Sequence, residues 1–248
     1  MFNLHKDGFS HFRSSVAVSA EEKGYLMHEV SLLERDKHAP ASTLRFRRYG
    51  NAIILPWKDN ELHWLPTHKE NGKEFSGYDQ GSNNPEHGSI RYFNALSSAL
   101  KNSDFLKDLI IDDFKQTFGF ENDYLPVYVG VHLVKVRCEN NELPGFSSPD
   151  CFHQDGEPFT FAHLVSRSPN AIGGNNYIAS VSARNKKLYE VNEDEITHRF
   201  TLNEFMDSFS VCDEMVSHYV DHLSMQSPGS PVERAMILID FSRTIQSI

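Results

Sequence analysis

The chain has 248 residues, with 34 acidic and 24 basic side chains and a formal net charge of −10. That balance, with no block of Lys or Arg, argues against nucleic acid or an anionic membrane surface as the main partner and for a small-molecule ligand. Three cysteines, Cys138, Cys151 and Cys212, are an odd number with no CxxC pair, so neither a disulfide framework nor a zinc knuckle is indicated and a reducing compartment fits.

The N-terminal text MFNLHKDGFSHFRSS lacks the charged-then-apolar order of a secretion signal. No window approaches the roughly 20 apolar residues of a membrane span. The expectation is a cytoplasmic protein, with homo-oligomerisation left open. Residues 20–36 predict a helix, since Leu26, Val30 and Leu33 recur at helical spacing, and LRFRRYGNAIILPW (44–57) predicts a strand. The polar stretch 58–90, with Gly, Asn, Pro and Asp throughout, reads as an extended loop over the surface or over a pocket mouth. Residues 103–118 predict a helix capped by Ser103, with Phe105, Leu106, Leu109, Ile110 and Phe114 on one face and Gly119 as its stop.

From residue 126 onwards strands dominate. VYVGVHLVKVR (127–137), PFTFAHLVSR (158–167), NNYIASVSA (175–183), KLYEV (187–191), HRFTL (198–202), FSVC (209–212) and RAMILIDFS (234–242) are short β-like runs separated by turns. Their order is that of a sandwich or small barrel rather than of alternating βαβ units. The chain reads as one domain over 1–248, with a helix-rich part (1–125) that supplies substrate-facing loops and a β core (126–248) that carries the site.

The stretch CFHQDGEPF puts His153 and Asp155 two residues apart before an apolar run, a spacing that turns both side chains to one face of an extended segment. A turn with a polar pair explains that spacing as well unless a third ligand exists. His163, His198 and His218 are candidates. In DEMVSHYVDHLSM, His218 fits either a strand after the Asp213-Glu214 turn or a helix on which His222 lies one turn further, so His222 stays open as an alternative ligand. Arg234 then opens the last apolar strand. Two imidazoles and one carboxylate on one face of iron(II) leave coordination positions for a 2-oxo acid and dioxygen, and arginine offers a planar fork for the distal carboxylate of that acid.

The segments SIRYFNAL (89–96), VGVHLVKVR (129–137), PGFSSPDCFHQDGEPFTFAHLVSRSPNAIGGNNYIA (144–179), MVSHYV and ERAMILIDFS (233–242) resemble the iron(II)/2-oxoglutarate-dependent dioxygenases. Within them the text looks like the bacterial free amino-acid hydroxylase branch typified by L-isoleucine 4-hydroxylase. The resemblance implies a double-stranded β-helix, or jelly roll, cupin-like and mainly β with flanking helices. It implies Fe(II) on His153, Asp155 and His218, the cosubstrate 2-oxoglutarate on Arg234, dioxygen as oxidant, and ascorbate as an assay additive.

The implied reaction is hydroxylation of a C–H bond of a free L-amino acid or close derivative, with release of succinate and CO2. Desaturation, cyclisation and sulfoxidation by the same chemistry are alternatives, and a non-catalytic jelly-roll module that holds a metal or ligand is the alternative of another class. Arg45, Arg47, Arg91 and Ser147 are candidate substrate contacts, because a free amino acid brings a carboxylate that arginine can hold as a bidentate pair. The three arginines permit an acidic substrate, and the many Phe and Tyr residues permit an apolar side-chain pocket. His132 and His163 alternate with apolar residues in strands, and each reads as a hydrogen-bonded core histidine in preference to a pocket wall. Gly173-Gly174 predict a tight turn.

Overall fold

The computed structural model describes residues 3–79, 90–118, 125–147, 149–227 and 229–243. In chain order the elements are α1 (Leu4–Asp7), β1 (Phe9–Arg13), α2 (Ala20–Ser31), β2 (Leu44–Leu55), β3 (Glu61–Trp64), β4 (His68–Glu70), β5 (Lys73–Tyr78), β6 (Arg91–Asn94), α3 (Ser98–Lys101) and α4 (Asp104–Phe114). They continue with β7 (Val127–Cys138), β8 (Phe159–Arg167), β9 (Ala171–Gly173), β10 (Asn175–Ala179), β11 (Ile196–Thr201), β12 (Asp207–Cys212), β13 (Ser217–Val220), β14 (Leu223–Met225) and β15 (Val232–Arg243).

A seven-stranded sheet runs β1-β12-β8-β15-β7-β2-β3, and its strand pairs are antiparallel. Smaller sheets are β11-β10-β13, β14-β9 and β4-β5-β6. This mainly β architecture is the jelly roll expected from the sequence.

The large sheet has two faces because side chains alternate along each strand. Val127, Val129, Val131 and Leu133 of β7, with Ile237, Ile239 and Phe241 of β15, pack into one cluster with Leu26 and Val30 of α2 and Leu106, Leu109 and Ile110 of α4. The intervening residues face the other way. There Ala162 and Leu164 of β8 and Met236 of β15 join Ile178 of β10 in a second cluster between the large and small sheets.

Several boundaries differ from the sequence expectations, each for a local reason. Helix α2 stops at Ser31 instead of 36 because β2 captures the following backbone: Asp36 N–H donates to Arg45 O at 2.8 Å and Arg47 N–H to Glu34 O at 3.0 Å. Ser103 does cap α4, its hydroxyl accepting from Leu106 N–H at 3.3 Å. The helix ends at Phe114, and Gly119 lies outside the described residues.

The stretch read as a loop over 58–90 contains β3, β4 and β5, and residues 80–89 lie outside the described part. Its hairpin signal is Asn71-Gly72, at φ 50° and 76°, the turn that matches strand twist. The N-terminal part is therefore less helical than expected: among its described residues are four helices and six strands, three of the strands in the large sheet.

KLYEV is not a strand either. Leu188–Glu190 is a 3₁₀ turn in which Lys187 N–H donates to Glu190 Oε2 at 2.7 Å, while Lys187 Nζ is anchored on Asp150 Oδ2 at 2.8 Å. Leu223–Met225 forms β14, and β15 begins at Val232.

Candidate metal and cosubstrate site

The site begins with a backbone bridge. His153 N–H donates to His218 O at 2.9 Å and His218 N–H to His153 O at 3.0 Å, so a segment with no strand of its own is held against β13. The two imidazole centroids stand 4.2 Å apart. His218 lies in a strand after a turn at 213–215, which removes the helix reading of MVSHYVDHL.

Asp155 completes the group. Its Oδ1 is 3.6 Å from His153 Nε2 and its Oδ2 is 3.2 Å from His218 Nε2, and the three ligand atoms all lie within 4.8 Å of one another. Ligands at right angles, each about 2.1 Å from a metal, stand about 3 Å apart, so this cluster needs little adjustment to hold one ion.

The buried Nε2 of His218 has Asp155 Oδ2 at 3.2 Å but no hydrogen bond of good geometry, an arrangement that suits two ligands facing one metal position. His153 Nδ1–H donates to Cys151 O at 3.0 Å, which fixes the tautomer and leaves the Nε2 lone pair for coordination. Burial opposes ionisation of Asp155, yet His218 and His153 facing it hold its carboxyl well below the usual carboxylate range. Burial with the neighbouring His218 lowers His153 to about 4, so it is a neutral donor near pH 7. The donor set is two imidazoles and one ionised carboxylate, which suits iron(II).

Asp213, which the sequence reading placed in a turn and gave no role at the site, fixes the metal-facing segment. Its two carboxylate oxygens accept from Asp155 N–H at 2.7 Å and Gly156 N–H at 2.8 Å, and its carbonyl accepts from Gln154 Nε2. His222 is excluded as a ligand by its own commitments: Nε2 is 2.8 Å from Asp150 Oδ1 and the ring packs on Phe146 at 3.9 Å.

Arg234 lines the same pocket and is 6% exposed. Nη1 donates to Gly174 O at 2.9 Å, while its buried Nε has no partner. Arg167 stands beside it with an equally unpartnered Nη1, its Nη2 held by Ala171 O and Gly173 O. A Cβ at Gly174 would lie 2.9 Å from Nη1 of both arginines, so the glycine makes room for two guanidiniums side by side. Gly173 and Gly174 both have positive φ, as the tight-turn reading requires. Burial and Arg167 together pull Arg234 down to about 10, still charged at neutral pH. Two unsatisfied guanidinium N–H groups fit a carboxylate.

The same pocket collects Arg45, Arg47, Arg91 and Ser147. Arg45 is committed to Asp36, with Nε to Oδ2 at 2.8 Å. Arg47 donates through Nε to His132 Nδ1 at 3.1 Å, and His132 Nε2–H donates to Asp240 Oδ2 at 2.9 Å. His132 is thus a pocket wall as well as a buried histidine, held neutral by burial and by Arg47. His163 is a core residue on the opposite face, between Asp113 of α4 at 2.8 Å and Ser208 at 2.9 Å. The Ser208 hydroxyl donates to Met206 O, so this Ser-His-Asp set clamps helix to sheet and holds no activated serine. Tyr78, Asp240 and Arg184 also line the pocket, and no sequence signal marked them.

Among the described residues no helix is long and apolar enough to cross a membrane, and the three cysteines are free thiols.

Comparison with known proteins places the chain in a family. The family model described as 2OG-Fe dioxygenase matches residues 28–240. The chain is 26% identical to an L-isoleucine-4-hydroxylase of Bacillus thuringiensis over 245 residues, covering 95% of this chain and 90% of the relative. It is 26% identical to a 3(1)-hydroxy-L-isoleucine 4-dioxygenase of Pantoea ananatis (strain AJ13355) over 259 aligned positions, covering 97% and 94%.

Among solved structures, IDO from Bacillus thuringiensis superposes with a TM-score of 0.72 at 21% identity, covering 98% of this chain and 92% of that one. The Fe(II)/α-ketoglutarate-dependent dioxygenase TqaL gives 0.74 at 11% identity, covering 98% and 86%. At those identities the likeness concerns the fold. With the family model spanning most of its length, the chain belongs to the 2OG-Fe dioxygenases, enzymes that work with Fe(II), 2-oxoglutarate and dioxygen.

Proposed function

We propose that this dioxygenase hydroxylates a C–H bond of a free L-amino acid or close derivative, with His153, Asp155 and His218 holding Fe(II) and Arg234 holding the distal carboxylate of 2-oxoglutarate. The observation that carries the reading is the placement of the three-ligand cluster and the buried, partly unsatisfied Arg234 in one pocket. The two curated relatives, named for isoleucine and a hydroxyisoleucine, point to the amino-acid substrate.

When bound, Fe(II) and 2-oxoglutarate supply dioxygen reduction: two electrons come from decarboxylation to succinate and CO2, and two from the substrate C–H bond. The chain's own residues order the reactants. The Cys151 carbonyl and Asp213 carboxylate aim His153 and Asp155, and Arg234 sets the direction in which the cosubstrate lies. Val136, Met236 and Leu238, on the pocket wall that β7 and β15 share, keep that lane dry.

We read residues 1–248 as one catalytic domain, because β2 and β3 share a sheet with β8, β15 and β7. We place it in the cytoplasm, with a small-molecule amino acid as its partner and neither nucleic acid nor membrane.

The test is succinate formation by purified protein with Fe(II), ascorbate, 2-oxoglutarate and each free L-amino acid in turn, with products weighed by mass spectrometry. Substrate-stimulated succinate and a product heavier by one oxygen atom are expected, and both should vanish in His153→Ala and Asp155→Ala. A product lighter by two hydrogens would redirect the reaction to desaturation or cyclisation. Unchanged turnover in either variant would remove the assigned site.

A further inference from the structure

Three pocket-lining side chains form a line across the large sheet. Arg47 of β2 donates through Nε to His132 Nδ1 at 3.1 Å, and Nε2–H of the same ring donates to Asp240 Oδ2 of β15 at 2.9 Å. Burial and the neighbouring arginines keep the imidazole neutral, with Nδ1 accepting and Nε2 donating. The line therefore carries a cation at one end and an acid at the other, joined by an uncharged ring.

Strand register and packing fix that line. Asp240 pairs with Gly130 of β7, His132 with Leu238 of β15 and Tyr49 of β2, and Arg47 with Val134 of β7. Tyr49 stacks on the His132 ring with centroids 4.2 Å apart. Gly130 leaves room at the acid end, since a Cβ there would lie 3.2 Å from Asp240 Oδ2. At the other end the Arg47 guanidinium carbon stands 4.5 Å from the Phe93 ring centre.

Both ends keep hydrogen-bonding capacity. Arg47 Nη1 makes no hydrogen bond among the described residues, and the group, brought down to about 10 by desolvation and Arg45, is charged at neutral pH. Asp240 accepts from His132 and has the Thr160 hydroxyl of β8 beside it, but a carboxylate can accept further bonds. Burial, ahead of nearby Asp155, pushes the Asp240 carboxyl up to about 8, and an ammonium beside it would restore the ionised form. Asp155 and Asp240 are the acids among the described residues of the pocket wall, and Asp155 faces the metal position. Glu157 accepts from Tyr78 Oη at 3.1 Å and does not line the pocket.

The spacing suits a zwitterion. Three bonds, N–Cα–C–O, join the ammonium and carboxylate of an α-amino acid, and two, Nδ1–Cε1–Nε2, join the ring nitrogens. Laid alongside His132 with one hydrogen bond at each end, the head group covers nearly the span that the ring covers between Arg47 and Asp240. We propose that Arg47 and Asp240 together read the substrate's head group, Arg47 taking the α-carboxylate and Asp240 the α-ammonium, with His132 as the positioning residue that sets their separation. This deepens, and rests on, the reading of the protein as a free amino-acid hydroxylase. Its consequence is that both charged groups must be free: an analogue without the ammonium buries Asp240 with no cation, and one without the carboxylate does the same to Arg47.

L-Isoleucine is the first probe, because the curated relatives are named for isoleucine-type compounds, and the other free L-amino acids follow until one stimulates succinate. That amino acid is then compared with the carboxylic acid that lacks its ammonium and with its primary amide; for isoleucine these are (S)-3-methylpentanoate and L-isoleucinamide. Each analogue is expected to fall below the amino acid in kcat/KM by on the order of tenfold or more, as for loss of one charged hydrogen bond. Asp240→Asn, which keeps an acceptor for His132, should erase most of the preference for the ammonium and keep that for the carboxylate. Arg47→Gln should do the reverse. A purely structural role for the line would not split the two preferences in this way.

The wild-type comparison decides by itself if a variant does not fold. Analogues turned over as well as the amino acid would overturn the proposal while the hydroxylase reading stands, as would folded variants in which both preferences fall together or neither changes. Failure of every amino acid to stimulate succinate would sink both.

Discussion

On the β15 side of the pocket Arg234 shares the wall with Val136, Met236 and Leu238 and has Arg167 and Gly174 beside it, whereas on the β2 side Arg47 and Arg91 stand over the rings of Tyr78 and Phe93 and Arg45 pairs with Asp36. The first arrangement is built into β15, which is paired to β7 and β8 along most of its length, so the position of Arg234 follows from two registers. The second is assembled from β2, β5 and β6, and its shape depends on how a small sheet docks on a large one. The difference teaches that a side chain held by one doubly paired strand has its place fixed by register, whereas a flank assembled from several elements takes its shape from how they dock.

Removing the register-fixed side chain should have the largest effect. Arg234→Ala is expected to weaken 2-oxoglutarate binding on the order of 1,000-fold, as for loss of one partner of a buried charge pair, with Fe(II) binding intact. Calorimetric titration of each ligand checks it, and equal losses for both ligands would mean that the variant is merely misfolded.

On the other flank, Asp36→Asn should destabilise the protein by about 3 kcal/mol at neutral pH, because it leaves buried Arg45 without its counter-charge. Burial raises Asp36, but Arg45 and Arg47 outweigh it and the folded carboxyl lies below its ordinary value. A group depressed in this way stabilises the fold above the unfolded pKa and loses that contribution as pH falls through the folded one. The stability gap between wild type and variant should therefore be constant near neutrality and close progressively below about pH 4. Denaturant midpoints measured across that range would show it.

Gly174→Ala is a finer probe of the β15 side. The residue sits at φ +67°, and its new methyl would press on Arg167 and Arg234 together. About a tenfold loss of 2-oxoglutarate affinity is expected from strain of this size, and wild-type affinity in a folded variant would show that the two guanidiniums have room to spare. The smallest effect belongs to His222→Ala, which removes a half-buried hydrogen bond to Asp150. Stability should fall by about 1 kcal/mol with Fe(II) binding unchanged, and loss of iron would reinstate His222 as a ligand.

Much of the β15 side was legible in the sequence. The alternation in β7, β8 and β15 predicts strands whose odd and even residues separate into helix-facing and pocket-facing sets, and the observed clusters follow that division. His153, Asp155, His218 and Arg234 were named from spacing and resemblance, and the structure brings them into one pocket. The β2 side was legible in part. Its arginines were named, and Ser147 lies on the pocket wall with them, but β3, β4 and β5 were hidden in a stretch whose polar composition reads as loop. Edge strands half in water need little apolar content, so composition alone did not separate them from a loop.

Local chemistry thus determined what neighbours in sequence decide: period-2 strands, the Ser103 cap, the turn at Gly173-Gly174 and the residue types suited to a metal. Tertiary structure alone decided which of several histidines meets His153, that Asp213 fastens the metal-facing turn, that His132 relays between Arg47 and Asp240, and that Arg45 is already spent on Asp36. The physical reason is distance along the chain. Each of these contacts except Arg45–Asp36 joins residues tens of positions apart, and even that ion pair depends on α2 ending early so that Asp36 N–H can bond Arg45 O across β2.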